Sequence, residues 1–210
     1  MTIVMHTLPD AFLAHLKALE EAYVQETDPV RQSGFEGGHA RWRTERELVL
    51  DAIADDGDVL DVGCANGYLL ECLVRWGHER QRHLTPYGVD YGAHLIALAQ
   101  QRLPQYAAHF WQANAWEWRP PRRFRYVYSL YDCVPPAWLP AYIRRLVKRY
   151  VAPGGTLILG AYGSASKQEA ARDIATDLAA AGFQVAGSSS RGTVPVARVA
   201  WIRAAQGAVP

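Results

Sequence analysis

Apolar residues at Phe12, Leu13, Leu16, Leu19, Ala22 and Tyr23 recur at intervals of three and four, which predicts an amphipathic helix over 10–25. The stretch 26–38 holds Asp28-Pro29, Ser33-Gly34 and Gly37-Gly38, pairs that end helices and make loops. A second helix over 39–54 would bury Trp42, Leu48, Val49, Ala52 and Ile53 while turning Arg41, Arg43, Glu45 and Glu47 to water. From Val59 onward the pattern changes: short apolar runs alternate with helical periods, as βαβ units require. The runs place strands at 59–62, 87–90, 109–112, 126–130 and 156–160, with helices at 67–76, 93–102, 136–151 and 167–181, the last closed by Gly182. The connection 116–123 is too short and proline-rich for a helix. The tail differs again, because 183–186 and 194–203 are separated by a Gly/Ser turn and read as a hairpin. The expected architecture is α/β: a Rossmann-like doubly wound sheet, mostly parallel, with a C-terminal antiparallel hairpin strand and N-terminal helices. Residues 1–56 would be a helical lid or substrate segment and 57–210 the sheet domain, together one compact unit.

Composition narrows the class. Of the 210 residues 50% are hydrophobic and 20% charged, a balance that excludes a disordered chain. The cysteines Cys64, Cys72 and Cys133 are too few and too scattered for a disulfide framework or a zinc site, so a reducing, cytoplasmic setting is expected and no metal. No apolar run reaches the roughly 18 residues of a membrane span. The formal charge of +1 gives polyanions little long-range attraction and disfavours nucleic acid as a partner. The basic run Arg119-Pro120-Pro121-Arg122-Arg123-Phe124-Arg125 then reads as a solvated connection.

The chemistry starts where the first buried strand ends. Val59-Leu60-Asp61-Val62-Gly63-Cys64-Ala65-Asn66-Gly67 runs from strand through a glycine-bearing turn into a helix. In open α/β sheets the ligand crevice lies there, beyond the carboxyl ends of the strands. Gly63 allows close backbone approach and Gly67 relieves crowding at the helix start. The spacing G-x-A-x-G is neither a dinucleotide fingerprint nor a P-loop.

This turn resembles the first motif of the class I S-adenosylmethionine-dependent methyltransferases, an acidic residue followed by G-x-G-x-G, with Asp61, Gly63, Ala65 and Gly67 in the matching places and Ala65 replacing the middle glycine. A methyl group there is compatible with the turn at negative φ and crowds a ligand if the position is left-handed. The resemblance implies S-adenosylmethionine as cofactor, bound by Asp61, Gly63, Cys64, Ala65, Gly67, Asp90, Tyr91, Asn114, Ala115 and Leu130. Asp90 ends the second strand 29 residues after Asp61 and would accept from both ribose hydroxyls, one per carboxylate oxygen. Asn114 would read the adenine, with Tyr91 and Trp116 as a sandwich for the base; for Trp116, close to Trp111 and Trp118, packing is the stronger explanation.

Tyr131 and Asp132, at the end of the fourth strand, are the candidate catalytic residues, and His39, Arg41, Trp42 and Tyr162 the candidate substrate lid. Each has a plain structural alternative: Asp132 as a helix cap, Arg41 as an i,i+4 partner of Glu45. Cys133 and Val134 separate Asp132 from Pro135-Pro136, so the motif of enzymes that methylate exocyclic base amines is absent. The implied function is methyl transfer to oxygen or nitrogen of a small molecule. Alternatives are a non-catalytic adenosyl-ligand sensor and a NAD-dependent oxidoreductase. The acceptor and the oligomeric state are not specified by the sequence.

Overall fold

The structure, a computed structural model, describes residues 7–206. Seven strands form one sheet in the order β3-β2-β1-β4-β5-β7-β6: β1 (Gly57–Val62), β2 (Leu84–Asp90), β3 (Phe110–Gln112), β4 (Phe124–Leu130), β5 (Val151–Tyr162), β6 (Gly187–Arg191) and β7 (Ala197–Arg203). The pairings β1–β2, β1–β4, β2–β3 and β4–β5 are parallel, while β7 runs antiparallel to both β5 and β6. This is the expected doubly wound sheet with an antiparallel strand from a C-terminal hairpin. Each parallel crossover past β1 or β4 leaves the strand ends open between β1 and β4, where the chain order reverses.

Side chains alternate across the sheet and build two cores. Val59, Tyr126 and Tyr128 pack with Trp76, Leu73 and Trp42 on one face, against α2 (Gly38–Arg46) and α3 (Tyr68–Glu79). Leu60, Val62, Phe124 and Val127 pack with Tyr142, Leu146 and Leu178 on the other, against α5 (Leu139–Arg149) and α6 (Ile174–Ala180). Phe124 and Tyr126 lie on opposite faces although two residues apart, because the β4–β5 register shifts between them.

Three segments depart from the sequence expectation. Residues 39–54 are not one helix: α2 gives way to a 3-10 turn, Glu47–Ala52, whose tighter winding buries Leu48, Val49 and Leu50 in succession. Glu45 is buried rather than solvated, with Arg41 donating to it at 2.7 Å. Of 167–181 only Ile174–Ala180 is helical, because Asp173 accepts from the Thr176 N–H and fixes the start there. The Gly/Ser stretch expected as a turn is itself strand β6; the hairpin turns at 192–196 instead. α4 (Ala93–Arg102) has the expected bounds.

The first helix, α1 (Asp10–Val24), is the exception to the layered packing: none of its residues is buried. It crosses the carboxyl edge of the sheet. Leu13 and Phe12 pack toward the second core at one end, and Glu20 reaches the start of α4 at the other, accepting from the His94 N–H at 2.8 Å.

Candidate functional site

The turn after β1 holds three left-handed residues in alternation, Gly63 (φ +90°), Ala65 (φ +45°) and Gly67 (φ +72°). Here the alanine does occupy the left-handed region, a conformation that costs an L residue about 1–2 kcal/mol. A Cβ on Gly63 would stand 3.0 Å from the Cys133 sulfur, so only glycine keeps that wall open. A Cβ on Gly67 would meet Ala99 of α4 at 2.9 Å, which fits the close approach of the two helices.

Asp90, at the end of β2, closes this turn. Its Oδ2 accepts from the Ala65 N–H and its Oδ1 from the Gly92 N–H, both at 2.8 Å. The carboxylate is therefore fixed in orientation while each oxygen keeps acceptor capacity. Burial pushes its pKa up, the two N–H donors pull it down, and Glu20 raises it further. Asp61 is buried and pushed up to about 8, by loss of water first and by the Asp90 charge second, with the Arg46 guanidinium opposing. Arg46 is itself buried, stacked 3.4 Å over the Tyr162 ring, with one terminal nitrogen lacking a hydrogen bond though 3.7 Å from the Glu45 carboxylate.

A cavity of about 380 Å³ opens above this turn, at the carboxyl ends of β1, β2 and β4. Its floor and walls include Gly63, Ala65, Asp90, Tyr91, Leu130, Tyr131 and Asp132, so seven of the sequence-predicted residues meet at one place. An adjoining recess of about 60 Å³ lies between Tyr91, Ala113, Ala115 and Cys133. The roof is α1, which contributes Phe12, His15, Leu16, Leu19, Glu20 and Tyr23. Tyr23 is pushed up by burial and then by the Asp132 and Asp90 carboxylates. Asp132, exposed at the rim, is nevertheless raised by the surrounding protein, with the His15 imidazole working the other way.

The remaining expected site residues stand elsewhere. Asp61, Cys64 and Gly67 lie behind the cavity wall; the Cys64 N–H is spent on the Val89 carbonyl at 3.2 Å. Asn114 does not face the cavity: its oxygen accepts from the Trp116 and Glu117 N–H groups at 3.0 and 2.8 Å, and its NH₂ donates to Glu117. Trp116 packs on Trp138 at 4.9 Å between ring centres, so it forms no sandwich with Tyr91. The lid assignment is corrected as well. His39 pairs with Asp28 at 2.9 Å, Arg41 with Glu45, and Trp42 sits in the first core, none of them lining the cavity. Tyr162 shares a hydrogen bond with Tyr128 at 2.9 Å beneath Arg46. Asp132 caps no helix; Pro135 precedes the short turn at Pro136–Trp138.

The sequence reading missed the roof residues, although their stripe at three and four was visible, because nothing local shows what an amphipathic helix covers. It also missed Asn66, whose amide donates to the Pro29 carbonyl at 3.0 Å and to Gln32 at 2.9 Å and ties the loop after α1 to the turn. Arg122 and Arg125 of the basic run pair with Asp58 and Asp55. Among the described residues no metal-binding cluster exists, and no helix is long and apolar enough to cross a membrane.

Residues 59–155 match the family model described as a methyltransferase domain. No curated protein matches the chain. Among solved structures, a protein of Pyrococcus horikoshii is similar at a TM-score of 0.62 and 14% identity, over 91% of this chain and 98% of that one. A SAM-dependent methyltransferase from Aquifex aeolicus is similar at 0.53 and 17%, again over 91% and 98%. A putative methyltransferase of Haloferax volcanii, solved in complex with the Trm112 methyltransferase activator, is similar at 0.57 and 15%, over 96% and 97%. At these identities the likeness is one of fold. Over residues 59–155, which include the strand-end turn, the chain is similar to a methyltransferase domain, and its fold is the one those solved structures share.

Proposed function

We propose that this chain is an enzyme that transfers a methyl group from S-adenosylmethionine to a small-molecule acceptor. The observation that carries the reading is Asp90: a carboxylate held by two backbone N–H groups at the end of β2, with acceptor capacity left on both oxygens at the cavity. Two vicinal ribose hydroxyls are suited to such a pair of oxygens. The recess between Tyr91, Ala113 and Ala115 is mostly apolar, as an adenine face needs. Gly63 leaves room for the amino-acid tail, and the misfits are the Ala65 methyl on the wall and Asn114, which is engaged with its own turn. A dinucleotide is the poorer occupant, because the turn is not G-x-G-x-x-G and the antiparallel β7 departs from the all-parallel dinucleotide sheet.

Bound there, the cofactor supplies an electrophilic methyl group on a sulfonium, already attached to a good leaving group. The protein's part is then alignment and exclusion of water. Leu130 and Tyr131 would border the reacting end, the α1 roof would keep water out, and Asp132 with His15 at the rim would be placed to take a proton where the acceptor carries one. The acceptor is small in this reading because α1 roofs the cavity and leaves a macromolecular chain no open groove.

Calorimetric titration with S-adenosylmethionine, its demethylated product and NAD tests the cofactor. Asp90→Ala should weaken adenosyl binding more than tenfold, since hydrogen bonds to a charged group contribute about 1.5–3 kcal/mol. Unchanged affinity would overturn the assignment. Transfer of labelled methyl to a metabolite extract separates an enzyme from a non-catalytic sensor.

A further inference from the structure

A second cavity, of about 280 Å³, lies between α5 and α6 and shares two wall residues, Tyr131 and Pro136, with the cofactor cavity. Its lining is almost wholly apolar: Leu139 and Ile143 from α5, Ile174 and Leu178 from α6, and Leu159 of β5 beneath them. The polar exceptions gather on the side of the shared wall. Arg172 lies with its guanidinium 5.4 Å from the Tyr131 ring centre, and Asp177 accepts from its Nε. Among the described residues neither terminal nitrogen of Arg172 has a hydrogen-bond partner, and the side chain is 44% exposed. A guanidinium paired with Asp177 through Nε, with both NH₂ groups unused, therefore stands where an apolar chamber meets the reacting end of the larger one.

We propose that this second cavity holds the apolar body of the methyl acceptor, and that Arg172 holds a carboxylate oxygen of that acceptor at the Tyr131 wall. This rests on the methyltransferase reading above. Asp177 balances the charge, so the free donors decide between acceptor atoms: the two NH₂ groups of Arg172 offer hydrogens and no lone pair, so an amine finds nothing to accept its protons there, whereas a carboxylate accepts from both and arrives already ionised. A lone pair of that oxygen forms the new O–CH₃ bond as the carbon–sulfur bond breaks, and the electron pair of the broken bond stays on sulfur. The negative oxygen and the positive sulfonium both become neutral, and no proton moves. A strong general base is then unnecessary, consistent with Asp132 and His15 being exposed at the rim rather than locked in a relay. The apolar wall supplies the affinity, since it takes hydrocarbon surface out of water.

The test uses 2-naphthoate and its neutral counterpart naphthalene-2-methanol, titrated into protein saturated with S-adenosylhomocysteine. Naphthoate should bind at least tenfold more tightly than the alcohol. Arg172→Gln should abolish that preference while leaving alcohol binding within twofold. Leu178→Trp, which fills the chamber, should weaken both ligands tenfold or more and leave the affinity for S-adenosylhomocysteine within twofold. Thermal melts check folding of the variants, and Ala181→Leu serves at the same chamber if Leu178→Trp does not fold. Absence of naphthoate binding, equal affinity for the two ligands, indifference to the chamber variants, or competition between naphthoate and S-adenosylhomocysteine would each overturn the proposal. Failure of S-adenosylhomocysteine to bind at all would sink the cofactor reading instead, and would show in the first titration.

Discussion

Ala65 is the residue at which this turn departs from the G-x-G-x-G pattern it resembles, and its φ of +45° places the methyl group where a glycine would be at ease. Relief of that strain should outweigh the extra entropy of an unfolded glycine, so Ala65→Gly is expected to raise stability by up to about 1 kcal/mol. Urea denaturation would read this, and a loss of stability would mean that the methyl makes packing contacts worth more than its strain. Asp61 offers a second residue-scale consequence. Its carboxyl titrates near 3.8 when unfolded and is pushed up to about 8 when folded, so between those values the folded state holds the extra proton. The stability that proton confers is complete below about pH 4 and is lost as pH rises through 8. Asp61→Asn, which stays neutral, should flatten this decline and gain on the wild type at pH 8.5 relative to pH 5; urea midpoints that fall in parallel would refute the buried-acid account. Asp90 was legible in the sequence because the end of a parallel strand is fixed by hydrophobic pattern alone. Asn114 was misread because a side-chain amide can choose between a ligand and its own backbone, and here the turn at Trp116 and Glu117 takes it.

At the scale of elements, legibility followed how much of each signal was local. The helix Ala93–Arg102 stands between Gly92 and Pro104 with an apolar period inside, and needs no tertiary information. Strand β6, Gly187–Arg191, has none of the residues that favour strands; it is one because β7 pairs with it and Trp201 lies over Gly187, where a Cβ would come within 2.2 Å of the indole. The roof helix α1 was visible as a helix, but its partner was not. Glu20 is what holds it down at one end, capping α4 from another element through the His94 N–H at 2.8 Å and the His94 ring at 3.1 Å. With no buried residue of its own, α1 should open at modest cost. Removing a cap costs about 1 kcal/mol, so Glu20→Ala should raise amide exchange across Asp10–Val24 by about fivefold without changing protection of the central strands. Exchange unchanged in the helix would mean that apolar contacts, not the cap, keep the roof closed.

For the molecule as a whole, the two faces of the sheet are filled by independent cores, and the carboxyl edge between β1 and β4 is left to be closed by a helix and whatever occupies the cavity. A ligand there touches the turn after β1, the end of β2, the β4 loop and α1 together, and so ties the roof helix to the sheet edge beneath it. Binding to the native state alone stabilises it by about 2.7 kcal/mol at a hundredfold excess over Kd, which for a chain of this size corresponds to roughly 5–11 °C in Tm. S-adenosylhomocysteine at that excess should give such a shift, and NAD at the same concentration should give none. The same ligand should slow exchange in α1 as well as in the strand-end turn, because both border one cavity. A shift in Tm with no protection of α1 would place the nucleoside on the turn but outside the roofed space, and the helix would then have to be assigned a different task.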